Sequence, residues 1–363
     1  MKILLYPCTP QNVEYVTEFI KVRINDKTNP ICFKGMIKDD KDISFLNNWK
    51  KKNILISSNI NSALEWCEEV YILSHEYGYI GEEMVIDVCK QAIDKNKNIH
   101  IFSEISLRNR EVLNKYRKNS LIWYYEKKNI LEIENIHKLK FEGLYEINLP
   151  VIFVGKSNNI VKNDYAFLAL YEKLIEKGYS VCALTENLNG LLLQCEVIDF
   201  SKLIKEVDCD EAILFINRCV KLLIDKMKYD VVLVHLNKAA TKFNDLTPNG
   251  FGVEQIIMSE SLYPDYYVHC ILGNQISDIS QYMYYLKNKL IYNVDCICTN
   301  NEVLDKSEYS IHQKLVVNYM DCKKMEKQYK EYFAINDILF SQENDFAQKL
   351  AERVIDKLGE NNE

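Results

Sequence analysis

The feature that most constrains this chain is a repeated pairing of short, continuously apolar runs with amphipathic segments of 10–15 residues. Runs at 2–7, 54–57, 70–73, 98–102 and 121–124 have the compactness of strands buried on both faces. Between them, 13–20, 82–95 and 107–116 carry apolar residues at helical spacing. In the second of these, Met84, Val85, Val88, Cys89 and Ala92 share one stripe. Parallel strands need crossovers of this length, so the pattern predicts an α/β fold with mainly parallel sheets. The rhythm fades over 126–149 and restarts with Val151–Val154 after Pro150. Later strands are expected at 180–184, 230–235, 267–272, 293–298 and 315–319, with helices over 165–177, 211–227 and 279–290. Gly178 reads as a C-cap, and a final helix is expected between Ser341 and Gly359. Two domains follow: 1–147, Rossmann-like without a G-x-G-x-x-G fingerprint, and 148–363, P-loop-like.

Composition narrows the class. Of 363 residues, 48% are hydrophobic and 27% charged, which excludes wholesale disorder. The net charge of −7 argues against nucleic acid as a partner. No apolar run reaches the ~20 residues of a membrane helix, and Ile3–Tyr6 is too short for a signal peptide. No membrane partner is expected, and the cytoplasm is the expected location. Most of the 12 cysteines lie in apolar runs without C-x-x-C spacing, as small buried hydrophobes do. Cys296 and Cys298 share a strand face but lack the further ligands a zinc site needs, so no metal is expected.

The segment with chemical potential is 151–177, a buried strand, a polar loop and a helix start. Free N–H groups and the dipole at such a helix start favour an anion. Gly155, Lys156, Ser157, Asn159, Lys162 and Asn163 are therefore the candidate phosphate or nucleotide ligands. A Walker loop, G-x-x-x-x-G-K-[ST], fits poorly. Counted from Gly155, its sixth position is Ile160, Lys162 falls one place late, and Asn163 replaces the magnesium-binding hydroxyl. Lys156 has the place of the second lysine of deviant Walker loops, without the flanking glycines. The strand at 230–235 ends in His235 and Asn237 rather than a metal-binding carboxylate.

Smaller features have simpler readings beside functional ones. Cys8 follows a strand near a helix start, where a thiol pKa can fall. It has no base near it in sequence, so an inert thiol is the simpler reading. His235 and His269 close buried strands, as satisfied core histidines do, though they could face one sheet edge. Arg108, Arg110, Lys115, Arg117 and Lys118 form a solvated helix face or a dock for an acidic peptide.

Several segments together resemble the clostridial peptide maturation system proteins, which occur beside radical-SAM enzymes and short precursors in ribosomal peptide natural-product clusters. These segments are Pro150 to Lys162, Glu-Lys-Gly-Tyr-Ser-Val at 176–181, Tyr-Asp-Val-Val-Leu-Val at 229–234, and Asn249-Gly-Phe-Gly252 leading to Tyr263-Pro-Asp265. Gly155, Ser157, Asn159 and Lys162 match that family's irregular loop, and Phe251 and Gly252 match another of its segments. The chain departs at Leu236-Asn237-Lys238-Ala239-Ala240, where a glycine pair would let a phosphate approach. The resemblance implies an accessory role in maturing a ribosomal peptide, with a precursor peptide or a radical-SAM maturation enzyme as partner and no nucleotide hydrolysis. The alternative is a nucleotide-dependent ATPase, ligase or kinase with ATP or GTP as cofactor. Lys162 would then reach the β/γ-phosphates and Lys156 would assist. A scaffold that only holds other enzymes together is a third expectation.

Overall fold

A computed structural model describes residues 1–23, 27–32, 41–46, 52–75, 81–138, 142–241, 252–290, 293–305, 316–321, 323–325, 327–328 and 338–360. It divides into two compact units, Met1–Lys127 with Asn187–Val197, and Lys128–Glu186 with Ile198–Glu363. Residues 128–138 and 142–147, in the stretch expected to end the first domain, pack with the second. Their irregular chain carries Ile130 and Ile136, both fully buried in the second unit's core.

The first unit holds β1 (Lys2–Tyr6), α1 (Val13–Val22), β2 (Lys27–Pro30), α2 (Ile60–Trp66), β3 (Glu69–Ile72), α3 (Glu82–Asp94), β4 (Asn98–Ile101), α4 (Leu107–Tyr116) and β5 (Ile122–Tyr124). Its parallel sheet runs β2-β1-β3-β4-β5. Leu4, Tyr6, Val70, Ile72, Ile99 and Ile101 project from one face into a core shared with α2, α3 and α4. β2, Lys-Thr-Asn-Pro, has no apolar run to mark it because it lies at the sheet edge. The run at 54–57 touches the parallel sheet only through Ser57, which bridges Ile31 just past β2. Leu55–Ile56 pairs antiparallel with Lys41–Asp42.

The second unit holds β6 (Val151–Lys156), α5 (Asp164–Glu176), β7 (Val181–Thr185), α6 (Phe200–Glu206), α7 (Cys209–Lys226), β8 (Val231–His235), α8 (Val253–Leu262), β9 (Tyr266–Ile271), α9 (Ile279–Leu290), β10 (Cys296–Thr299), β11 (Leu339–Phe340) and α10 (Phe346–Glu360). The order β7-β8-β6-β9-β10-β11 is parallel throughout. β6 is central, and Val151 to Val154 are almost fully buried. Each such side chain contributes about 1.5–3 kcal/mol relative to exposure. The strand expected at 315–319 is instead a short antiparallel partner, Val317–Tyr319 on Glu302–Leu304; residue 315 lies outside the described residues. The last helix starts at Phe346 and includes Gly359 in its final turn, so neither Ser341 nor Gly359 bounds it. Among the described residues no helix is long and apolar enough to cross a membrane.

Gly178 ends α5 with φ of +92°, and an added Cβ there meets nothing within 4 Å. Only backbone strain opposes a side chain at that position. Gly178→Ala is expected to lower stability by about 1 kcal/mol, read as a fall in the urea midpoint with an unchanged slope.

Candidate functional site

The loop from β6 to α5 lies at the carboxyl edge of the central strands, where an open α/β sheet presents its ligand crevice. Each candidate residue has a position there. Gly155 is flanked by Tyr267, whose hydroxyl would overlap a Cβ. The missing side chain therefore admits a tyrosine ring rather than a phosphate. Tyr267 in turn reaches Gln255 Oε1 at 3.3 Å and His269 Nδ1 at 3.1 Å. The half-buried Lys156 ends β6, and its carbonyl accepts from Ala240 N–H at 3.1 Å.

Ser157 is fully buried. Its hydroxyl donates to Gln275 Oε1 at 2.8 Å, and its N–H donates to Cys270 O at 2.9 Å. Its carbonyl accepts from both the backbone N–H and the hydroxyl of Thr241. Asn159 Oδ1 accepts from Ala239 N–H at 3.1 Å. Lys162 Nζ lies 2.8 Å from Glu302 Oε1, whose side chain is 2% exposed. Asn163 turns inward, donating to Val154 O at 2.9 Å and Leu236 O at 3.0 Å. It occupies the hydroxyl's place in a Walker loop and serves instead as a staple across two strands. Asp164, in the first turn of α5, adds a negative charge where a phosphate would need a positive end. The geometry therefore brings the six loop candidates together and turns the side chains of Ser157, Asn159, Lys162 and Asn163 onto the protein. Gly252 caps α8 with φ of +68°; Phe251 lies outside the described residues.

His235 pairs in register with Val154 and His269 with Gly155, so the two histidines lie one register step apart near the carboxyl end of the sheet but on its opposite faces. His235 Nδ1 meets Thr185 Oγ1 at 3.1 Å, its ring stacks on Phe167 at 4.8 Å, and its Nε2 lies 4.0 Å from Asp164. Burial holds His235 down at about 4, with Lys156 adding to the shift and Asp164 opposing it. Burial alone holds His269 at about 3. Cys8 is also far from a nucleophile. Burial pushes its thiol well up, and hydrogen-bonded Cys32 and nearby Glu14 add to the shift. Cys296 and Cys298 are both buried in β10. No group of three potential ligands suited to a metal occurs among the described residues.

Sequence reading missed a carboxyl pair. Glu186 follows β7, Ser201 lies in the first turn of α6, and Glu254 lies in the first turn of α8. Ser201 Oγ is 3.1 Å from Glu186 Oε2 and 3.0 Å from Glu254 Oε2, and its N–H donates to Glu186 Oε1 at 2.8 Å. A hydroxyl has one hydrogen, so it can donate to one carboxyl and must accept from the other. The arrangement is fully satisfied when one carboxyl is protonated, and the backbone bond to Glu186 leaves Glu254 as the one that takes the proton. Burial first, then the Glu186 charge, raises Glu254 to about 7 against Ser201, Lys238 and Lys205. The pair can hold and exchange a proton near neutrality. A glutamate directly after a buried strand is its signal in the sequence, and nothing local links that residue to Glu254.

These groups act on stability with opposite signs. The unfolded chain protonates both histidines first as pH falls below 6.5. Stability is then lost down to about pH 4, by about 1.4 kcal/mol per unit for each. Glu254, raised in the fold, contributes stability that is full below pH 4.5 and is lost as pH rises through about 7. Glu254→Gln is expected to become more stable relative to the parent between pH 5 and 8, on the order of 1–3 kcal/mol. Urea titrations across that range measure it. A difference independent of pH would make Glu254 an ordinary carboxylate.

No family model matches the chain, and no curated protein matches it. Among solved structures, a DUF1611 family protein from Anabaena variabilis superposes with a TM-score of 0.60 at 11% identity, covering 99% of both chains. Chloroplast FtsY from Physcomitrella patens gives a TM-score of 0.29 at 12% identity, over 68% of this chain and 87% of its own. The first likeness is one of fold, and it runs the full length of both chains.

Proposed function

We propose that the protein is a nucleotide-independent accessory component of a ribosomal peptide maturation pathway, binding the precursor peptide or the partner enzyme. The observation that carries the nucleotide-independent part is the engagement of Lys162 by buried Glu302 at 2.8 Å. Moving this lysine to a phosphate would leave a carboxylate in the interior, with Asn300 Nδ2 at 3.0 Å as its remaining side-chain hydrogen-bond partner among the described residues. The resemblance of roughly residues 150–320 to peptide maturation system proteins supports the pathway part.

Thermal unfolding with Mg-ATP, Mg-GTP and pyrophosphate tests the first part. Ligand binding to the native state must raise the melting temperature, and no rise is expected. A rise that disappears in Lys162→Ala would favour the nucleotide-dependent enzyme. Lys162→Ala alone is expected to lose about 1–3 kcal/mol by stranding Glu302, a loss discounted because Lys162 is partly exposed. The double variant Lys162→Met with Glu302→Gln is expected to recover most of that loss. It should also support peptide maturation in a reconstituted pathway as well as the parent does. Failure of the stable double variant to do so would contradict the proposal.

A further inference from the structure

The first unit's sheet ends at β5, and the surroundings of that edge are unusual for an acidic chain. Ile99 N–H donates to Leu121 O and Tyr125 N–H to Ile101 O, both at 2.9 Å. Residues 121, 123 and 125 thus bond to β4. Parallel geometry turns the N–H and C=O groups of Ile122 and Tyr124 to the open side. Such an edge is a template for an added strand unless charge, proline or a covering element blocks it.

The two flanks of this edge differ in chemistry. On one, α4 lies against Tyr124. The Arg110 guanidinium sits 5.3 Å from the Tyr124 ring centroid, and the Tyr124 hydroxyl is 3.4 Å from Asn114 Oδ1. Helical spacing puts Leu107 and Arg117 on the same stripe as these two. Leu107 is 77% exposed. On the other flank, Trp123 is 38% exposed and stacks on His100 at 4.3 Å, and Tyr125 stacks on Phe102 at 4.3 Å.

Residues 107–118 carry Arg108, Arg110, Lys115, Arg117 and Lys118 against a single acid, Glu111, in a chain of net charge −7. Arg110 pairs with Glu126, and Lys118 with Asp94. Arg108, Lys115 and Arg117 make no ion pair among the described residues. One flank therefore offers positive charge and the other an aromatic platform, with main-chain groups between them. Successive residues of an added strand point to opposite flanks.

We propose that the outer edge of β5 docks an extended peptide segment in which acidic residues alternate with aliphatic or aromatic ones. Its acids face Arg117 and share Arg110 with Glu126, its apolar residues face Trp123, and its main chain pairs with Ile122 and Tyr124. The proposal deepens the peptide-binding reading above and rests on it for the partner being a peptide.

Fluorescence anisotropy of labelled synthetic peptides against the full chain tests it. An alternating Glu/Val peptide is expected to bind. A peptide of the same composition with its acids in one block, a Lys-for-Glu version, and one N-methylated at alternate residues should each bind ~10-fold more weakly or worse. Arg117→Glu and Trp123→Ala should weaken the alternating peptide similarly, with unchanged thermal unfolding showing that the variants are folded. The N-methylated peptide leaves the protein untouched, so its arm stands even if a variant misfolds. No binding of the alternating peptide, or binding indifferent to N-methylation and to Arg117→Glu, would overturn the proposal. If the alternating peptide binds and the ribosomal precursor does not displace it, the edge stands and the pathway reading loses its support. If the precursor binds indifferently to both changes, the pathway reading stands and the edge does not.

Discussion

The carboxamide of Asn163 donates to Val154 O and Leu236 O, at the ends of two central parallel strands, and the loop's chemistry depends on that bridge. Leu236 N–H also donates to Val154 O at 3.0 Å, so the carboxamide closes over a ladder bond at the carboxyl end of β8. A serine or threonine hydroxyl here has one hydrogen and cannot satisfy two carbonyls. The amide satisfies both, and in doing so it takes the position a magnesium ligand would need. Nearby bonds act in the same direction. Ser157 is tied to Gln275, Asn159 to Ala239 and Lys162 to Glu302. The segment keeps the strand–loop–helix path of a phosphate-binding element and commits these side chains to bonds with the protein.

This accounts for the departures in the loop sequence. Gly155 is required by the Tyr267 ring behind it. The carboxylate missing from the end of β8 is replaced by His235, which Thr185 and Phe167 hold in a neutral, buried setting. Asp164 at the helix start interacts favourably with the helix dipole and would repel a phosphate there. Lys162, Asn163 and His235, three of the residues that defeat the Walker pattern, thus have structural partners within the second unit.

Much of the fold was legible in the sequence because strands buried on both faces need continuous apolar runs, as at Val151–Val154 and Val231–His235. Edge elements escaped for the same reason. β2 is polar because one side is open, and the residues at 55–56 were apolar without belonging to the parallel sheet. The candidate loop was found by its position between strand and helix, but its meaning was not legible. Lys162 reads as a phosphate ligand until Glu302 appears beside it, 140 residues away. The Glu186–Glu254 pair escaped because its members come from two distant segments and meet only through Ser201. Local pattern records burial well, and it does not record which distant side chain will satisfy a polar group.

The most direct test of the account is hydrogen–deuterium exchange of the 157–167 amides in the full chain, with and without millimolar Mg-ATP. Ser157, Ala166 and Phe167 donate to protein acceptors and should exchange slowly in both conditions. The account expects exchange across the loop to be the same with and without the nucleotide. Protection of 157–164 that appears only with Mg-ATP would show the loop opening to hold a phosphate, and would contradict the closed site on which the functional reading depends.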